Sequence, residues 1–232
     1  MLESCAVAKR SYHQHCAVAR GLDVIGDRWT LLLVRELILG PKRYGDLLVA
    51  SPGIGTNLLA DRLREMEAEG LVERVQLPPP AGSTVYRLTS SGADLEPVVR
   101  AVGVWGGRLM ADRRPGDHLS PGAYFVALRE RFRPERSAGL REAYEFRVDG
   151  RVFEVRVEDG ECTTSEGSAS QPPAAAFTMG AETLELLFAG QITAVQAIAE
   201  GSVQVAGDEQ ALARFQELFP PPDIPLARAS NR

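Results

Sequence analysis

The stretch that most constrains this chain runs from Cys16 to Thr89, where helix signals, a hard turn, a further helix and a proline-tipped hairpin follow in order. Residues 21–40 (GLDVIGDRWTLLLVRELILG) set Val24, Ile25, Trp29, Leu32, Leu33, Glu36 and Leu37 at mostly helical spacing, and Gly40-Pro41 ends the run. The segment is apolar over much of its surface and predicts a buried scaffold helix. A short second helix is predicted over 44–49, and Ser51-Pro52-Gly53 makes the turn after it. Residues 55–69 predict a third helix with Gly70 as its stop. Leu59, Leu63 and Met66 fall on one side of it, and Asn57, Asp61 and Arg64 on the other. Residues 71–77 and 84–88 then read as strands joined by Pro78-Pro79-Pro80-Ala81-Gly82-Ser83.

This order predicts a winged helix-turn-helix, whose third helix presents a face to a DNA groove. Thr56, Asn57, Asp61 and Arg64 are the candidate base-reading residues. Arg64 suits a guanine edge and Asn57 an adenine edge. Asp61 either accepts from cytosine or holds Arg64 three residues on. Lys42 and Arg43 before the second helix, with Arg74 and Arg87 on the hairpin arms, are candidates for phosphates, contacts that position without reading sequence. The bland alternative is an ordinary solvated face. Residues 90–113 read as helical again, with an apolar stripe of Leu95, Val98, Val99, Val102, Trp105 and Leu109 that suits a second subunit.

A net charge of -5 does not exclude DNA, because it is unevenly spread. Residues 1–116 carry 15 Lys and Arg against 13 Asp and Glu, whereas 117–232 carry 11 against 18. A local basic patch in the first half suffices. No apolar run reaches the length of a membrane helix, about 18 residues, and the N-terminus is too polar for a secretory signal. A cytoplasmic protein with no membrane role is expected. Its three cysteines make no disulfide framework.

The second half reads as a mixed domain. Arg113-Arg114-Pro115-Gly116-Asp117 has the composition of a linker, and a helix is expected around 124–132. Asp149-Gly150 and Asp159-Gly160 mark hairpin turns. Phe153, Val155 and Val157 alternate with Glu154, Arg156 and Glu158, predicting one buried and one wet face. A strand over 174–179, short helices over 182–189 and 193–200, a strand over 203–205 and a helix capped by Asp208 follow. The expected class is α+β, divided into 1–112 for DNA binding and dimerisation and 118–222 for ligand binding.

Residues 16 to about 106 closely resemble the HxlR family of bacterial regulators, relatives of MarR-type proteins. The matching residues are Cys16, Asp23-Val24-Ile25-Gly26-Asp27-Arg28-Trp29, Leu37 with Gly40-Pro41, and Arg43-Tyr44-Gly45-Asp46-Leu47. Ile54, Leu59, Leu63, Met66, Gly70-Leu71-Val72, Tyr86-Arg87-Leu88-Thr89, Gly92 and Trp105-Gly106 complete them. The resemblance implies a homodimer that binds a palindromic double-stranded operator. Residues from about 140 to 219 resemble the sterol carrier protein fold, chiefly in Phe188-Ala189-Gly190-Gln191-Ile192 and in the run from Ala199 to Asp208. That resemblance implies a curved sheet and helices around an apolar tunnel. Leu184, Leu187, Phe188, Ile192, Val195 and Ile198 are candidates for one wall, and Phe153, Val155 and Phe177 for the other. Core packing explains the same residues. With no obvious charged anchor, a neutral or weakly polar hydrophobic ligand is expected.

Cys16 is the one candidate redox residue, with Arg20 four residues on as the group to lower its pKa. Packing is the alternative role for this thiol, and Cys5 and Cys162 have no such setting. His13, His15 and Cys16 do not make a metal site, because His-x-His on a helix points the rings apart. No cofactor is expected. His118 has no nucleophile motif around it, so no enzyme is expected. The function expected is a dimeric regulator responsive to a hydrophobic small molecule. The alternatives are a hydrophobic-ligand carrier whose winged unit serves dimerisation or protein contacts, and a thiol-switch regulator acting through Cys16.

Overall fold

The computed structural model describes residues 11–78, 82–110 and 113–221. Cys5 and the centre of the proline-rich tip, Pro79 to Ala81, lie outside the described residues. The first unit runs α1 (Ala17–Ile25), α2 (Thr30–Ile38), α3 (Tyr44–Ala50), α4 (Thr56–Ala68), β1 (Val72–Gln76), β2 (Thr84–Leu88), α5 (Ser90–Ala93) and α6 (Glu96–Gly107). The single scaffold helix expected over 21–40 is therefore two helices. Gly26 packs so closely that a Cβ would lie 2.4 Å from the Leu22 carbonyl oxygen, and Asp27 accepts from the Trp29 amide at 2.7 Å. That side-chain bond offers the backbone an alternative to continuing the helix. The long helix expected over 90–113 is also broken, with Pro97 in the first turn of α6, where its missing amide costs nothing.

Leu59, Leu63 and Met66 of α4 close over Leu33, Val34 and Leu37 of α2 and Leu47 of α3 in one buried cluster. A Schellman-type end at Gly70 (φ 69°), with the Leu71 amide donating to Met66 O, turns the chain from α4 into the hairpin. Strands β1 and β2 pair antiparallel from Val72↔Leu88 to Gln76↔Thr84. Lys42 adds a bridge to Tyr86, with amide-to-carbonyl bonds of 2.9 and 2.7 Å, so the α2–α3 connection is fastened to the hairpin.

The second unit runs α7 (Pro121–Leu128), two 3-10 turns (Arg129–Arg131 and Pro134–Arg136), β3 (Arg141–Val148), β4 (Arg151–Glu158), β5 (Glu161–Glu166), β6 (Ala175–Met179), α8 (Ala181–Phe188), α9 (Ala194–Ala199), β7 (Val203–Gly207) and α10 (Glu209–Leu218). The sheet order is β5-β4-β3-β6-β7, with β3 and β6 parallel and the other pairs antiparallel. Asp149 and Gly150, like Asp159 and Gly160, both take positive φ, as a type I′ hairpin turn requires. The helices cover the face carrying Tyr144, Phe146, Phe153 and Val155. The opposite face is not open as expected. Glu145 and Glu154 sit directly across from each other and are buried, each bonded to its own arginine, Arg147 and Arg156. The β5–β6 connection reaches them, Ala169 N donating to Glu145.

The two units share a buried seam. Leu39, at the end of α2, belongs to the core of the second unit, and its carbonyl accepts from Glu166 N at 2.7 Å. Gly122 allows α7 to approach, since a Cβ there would lie 2.9 Å from Leu39 Cδ1 and 3.2 Å from Glu36 Oε2.

Candidate nucleic-acid interface and ligand cavity

Helix α4 is amphipathic, and its sides divide cleanly. Leu59, Leu63 and Met66 are buried, while Thr56, Asn57, Asp61 and Arg64 are all exposed. Arg64 is ion-paired with Asp61, the bland of the two roles open to that carboxylate. The pair is on the surface, where such contacts stabilise little, so Arg64 can exchange its partner at low cost. The Tyr44 hydroxyl donates to Thr56 O at 2.5 Å and fixes where α4 begins relative to α3. Arg43 is exposed at the N-cap of α3. Arg74 lies over the Tyr86 ring at 5.7 Å, and Arg87 pairs with Glu73 at 2.7 Å; both are exposed, on opposite faces of the hairpin.

Lys42 departs from this pattern. It is only 4% exposed, and its Nζ is bonded to Glu166 of the second unit. In this arrangement it has no path to a phosphate, so its expected DNA role is corrected to a structural one. Its charge enters a network in the seam. Glu166 accepts two bonds of 2.8 Å from Arg151, and Arg151 reaches Glu36 at 3.4 Å. Glu36, fully buried, also accepts from Arg35 (2.8 Å) and the Ser120 hydroxyl (3.1 Å). Burial pushes the Glu166 carboxyl up, but the bonds from Arg151 and Lys42 outweigh it and hold the group below its usual range. Sequence reading missed Glu166, Arg151 and Ser120, because nothing local marks a partner 124 residues away.

A second set of ties runs from the turn Arg129–Arg131 to α6. Arg129 pairs with Glu96 and donates to Thr164 of β5, and Glu130 pairs with Arg100. The outer side of α6 is apolar: Val98, Val102 and Trp105 are exposed, Trp105 by 62%, and Leu109 just beyond the helix end is exposed too. On α1, Val18 and Leu22 are exposed as well.

Between the helices and the sheet of the second unit lies a cavity of about 560 Å³, within the span of about 300–1,000 Å³ common to small-molecule sites. Phe177, Leu184, Leu187, Phe188, Ile192, Val195 and Ile198 line it, as expected from sequence. Phe153 and Val155 do not. They share the correct sheet face, but Phe125 of α7 stacks on Phe153 at 4.3 Å, and both are fully enclosed in packed core. Tyr124, Arg131, Phe146, Phe215 and Phe219 are wall residues that the sequence reading did not single out. Burial, with Glu185 beside it, pushes the Tyr124 hydroxyl up to about 12, so it is neutral in the cell's pH range.

Cys16 is exposed at the N-cap of α1, where the amides of Ala19 and then Val18 hold its thiol below the usual pKa. Arg20 is not the cause, being turned to Asp23 at 3.7 Å. Burial pushes the Cys162 thiol up to about 11. Among the described residues no cluster of three or more His, Cys, Asp or Glu is disposed to hold a metal ion. No described helix is long and apolar enough to cross a membrane.

Fold and site together define a winged helix-turn-helix unit of the DNA-binding class, joined to an α+β unit with an apolar cavity. Residues 24–114 match the family described as HxlR-like helix-turn-helix, and residues 117–225 match the family described as alkyl sulfatase C-terminal. The latter is the family found for the half likened above to sterol carrier protein. YodB of Bacillus subtilis (strain 168), an HTH-type transcriptional regulator, is 34% identical over 41% of this chain and 82% of its own length. The HTH-type transcriptional regulator sll1512 of Synechocystis sp. is 36% identical over 38% of this chain, which spans 64% of that relative's length. Among solved structures, the redox regulator HypR in its reduced form is similar at 36% identity over 39% of this chain and 90% of that one, with a TM-score of 0.37. The chain belongs to the HxlR-like helix-turn-helix family. The relatives are transcriptional regulators, a non-enzymatic class.

Proposed function

We propose that this protein is a dimeric cytoplasmic regulator that binds an operator through α4 and the β1–β2 hairpin, and that a hydrophobic small molecule in the second unit alters that binding. The observation that carries the reading is the exposed polar flank of α4 beside a hairpin bearing two exposed arginines. Asn57 and Arg64 read base edges, Thr56 and Asp61 stand beside them, and Arg43, Arg74 and Arg87 hold phosphates. Arg64 exchanges Asp61 for a guanine edge on binding. The apolar outer side of α6 supports a two-fold dimer, the symmetry that matches a palindromic operator. A 1–112 and 118–222 division of labour goes with this reading.

A ligand shifts DNA affinity only by binding the competent and incompetent states unequally. Two connections support such coupling. The Lys42–Glu166–Arg151–Glu36 network joins the edge of the sheet to the residue that bridges the wing. The Arg129–Arg131 turn joins the cavity wall to α6. The test is a gel shift at low salt with duplex from upstream of the protein's own gene. A retarded complex that outlasts excess unrelated DNA is expected, and no complex with the intact dimer refutes the reading.

A second reading is favoured by the setting of Cys16, whose thiol is exposed and acidified by helix amides. In it Cys16 is an oxidant-sensing thiol and the second unit is structural. Cys16→Ser then loses any oxidant response while keeping DNA affinity, and an oxidant response unchanged in that variant rules it out.

A further inference from the structure

Among the described residues Arg131 is the one guanidinium in the cavity wall, and its partners differ from those of most other arginines of the second unit. Arg129, Arg141, Arg147, Arg151, Arg156 and Arg214 each reach a carboxylate. Arg131 has no carboxylate within ion-pair distance among the described residues. It lies 3.6 Å over the Phe188 ring, gives one bond of 2.5 Å to Phe188 O, and is half-buried. Burial alone lowers its affinity for the proton, and no acid offsets that. A guanidinium carries five donors in a planar fork and keeps its charge under all ordinary conditions. Desolvating such a group without a counter-charge costs free energy that an arriving anion recovers. Apart from Thr193 and Gln216 the rest of the described wall is aliphatic and aromatic, and Tyr124 is uncharged.

We infer that the cavity takes an anionic amphiphile, an aliphatic chain ending in a carboxylate or sulfate, with the chain among Leu184, Leu187, Ile198 and Phe215 and the head group on the free donors of Arg131. This rests on the proposed ligand role of the cavity and differs from the neutral or weakly polar ligand expected from sequence. The local sequence around Arg131 offers several arginines, and only the fold shows which of them enters the cavity wall half-buried and without an acid. The head group then sits on the turn whose other two residues are ion-paired to α6.

The experiment is isothermal titration of the full chain with dodecanoate, dodecyl sulfate and dodecanol, the anions below their micelle concentrations and the alcohol below its solubility limit. Wild type should bind one or both anions at least about tenfold more tightly than the alcohol, a preference of about 1.4 kcal/mol. Arg131→Met should erase that preference while still binding dodecanol. Arg133→Met, which removes the same charge from an exposed neighbour, should keep it. Circular dichroism melting checks that each variant is folded. Equal affinity for anions and alcohol in the wild type, or a preference that survives Arg131→Met, overturns the head-group assignment alone. If none of the three binds the wild type, the ligand role of the cavity falls with it.

Discussion

Replacing Lys42 by methionine separates two accounts of one residue. In sequence it sits beside Arg43 before the second helix and reads as a phosphate contact. In the structure it is a buried ammonium held by Glu166. Lys42→Met leaves Glu166 with both bonds to Arg151, and Glu166 keeps 23% of its side chain in solvent. The expected cost is therefore one charged hydrogen bond, about 1.5–3 kcal/mol. Glu166→Gln does more harm, because it leaves a 4% exposed ammonium without an acid. Breaking a buried pair in that way costs about 3–5 kcal/mol. The double variant should be milder than the sum, with a coupling of about 0.5–3 kcal/mol. Urea unfolding followed by the fluorescence of Trp29, which is buried in the first unit, reads these values. The same variant is titrated onto operator DNA at several salt concentrations. A phosphate contact contributes about 0.9 to the slope of log K against log salt, so the buried role predicts an unchanged slope. A Lys42→Met protein of undiminished stability whose slope falls by that amount refutes the argument.

The acid limit of stability should depend on the same seam. The Glu166 carboxyl is held low, so its contribution is complete above the unfolded carboxylate pKa of about 4.3 and is lost as pH falls through the lower folded value. The stability gap between wild type and Glu166→Gln, measured by urea titration, should narrow below about pH 4, and a gap that widens there contradicts the pairing. Trp105→Glu places a charge on the exposed apolar side of α6; sedimentation velocity should show a dimer for the wild type and a monomer for the variant, and a variant dimer of wild-type strength moves the interface elsewhere. Brief alkylation at neutral pH, read by peptide mass spectrometry, should label Cys16 at least about ten times faster than Cys162, since one thiol is exposed and acidified and the other is half-buried with a raised pKa. Equal rates remove the physical basis for a thiol switch.

What was legible in the sequence was local or periodic. The spacing of Leu59, Leu63 and Met66 located both the buried and the free side of α4. The Asp-Gly pairs located the hairpins of the second sheet, because positive φ at both positions admits few other dipeptides. The break at Gly26–Trp29 was legible in principle, since Asp27 two residues before Trp29 is a helix-capping signal. The apolar spacing across it looked continuous and concealed it. Alternation told which face of β4 the helices cover, but not that Glu154 on the other face is buried or that Phe125 closes the stretch over Phe153, so the cavity was drawn too far along the strand. Lys42 and Arg131 were misread or passed over for one reason. The role of a charged side chain depends on the presence or absence of a partner, and for these two that is decided by residues distant in the chain.

The central claim is that the uncommitted flank of α4 reads bases. Its most direct test is fluorescence anisotropy of an Asn57→Ala/Arg64→Ala variant on the upstream duplex and on a scrambled duplex of equal length and composition, beside Arg74→Ala on the same pair. The account predicts that the first variant loses about 2–6 kcal/mol of discrimination, from two bidentate contacts at about 1–3 each, while the second weakens both duplexes alike. Discrimination undiminished in the α4 variant would contradict the account.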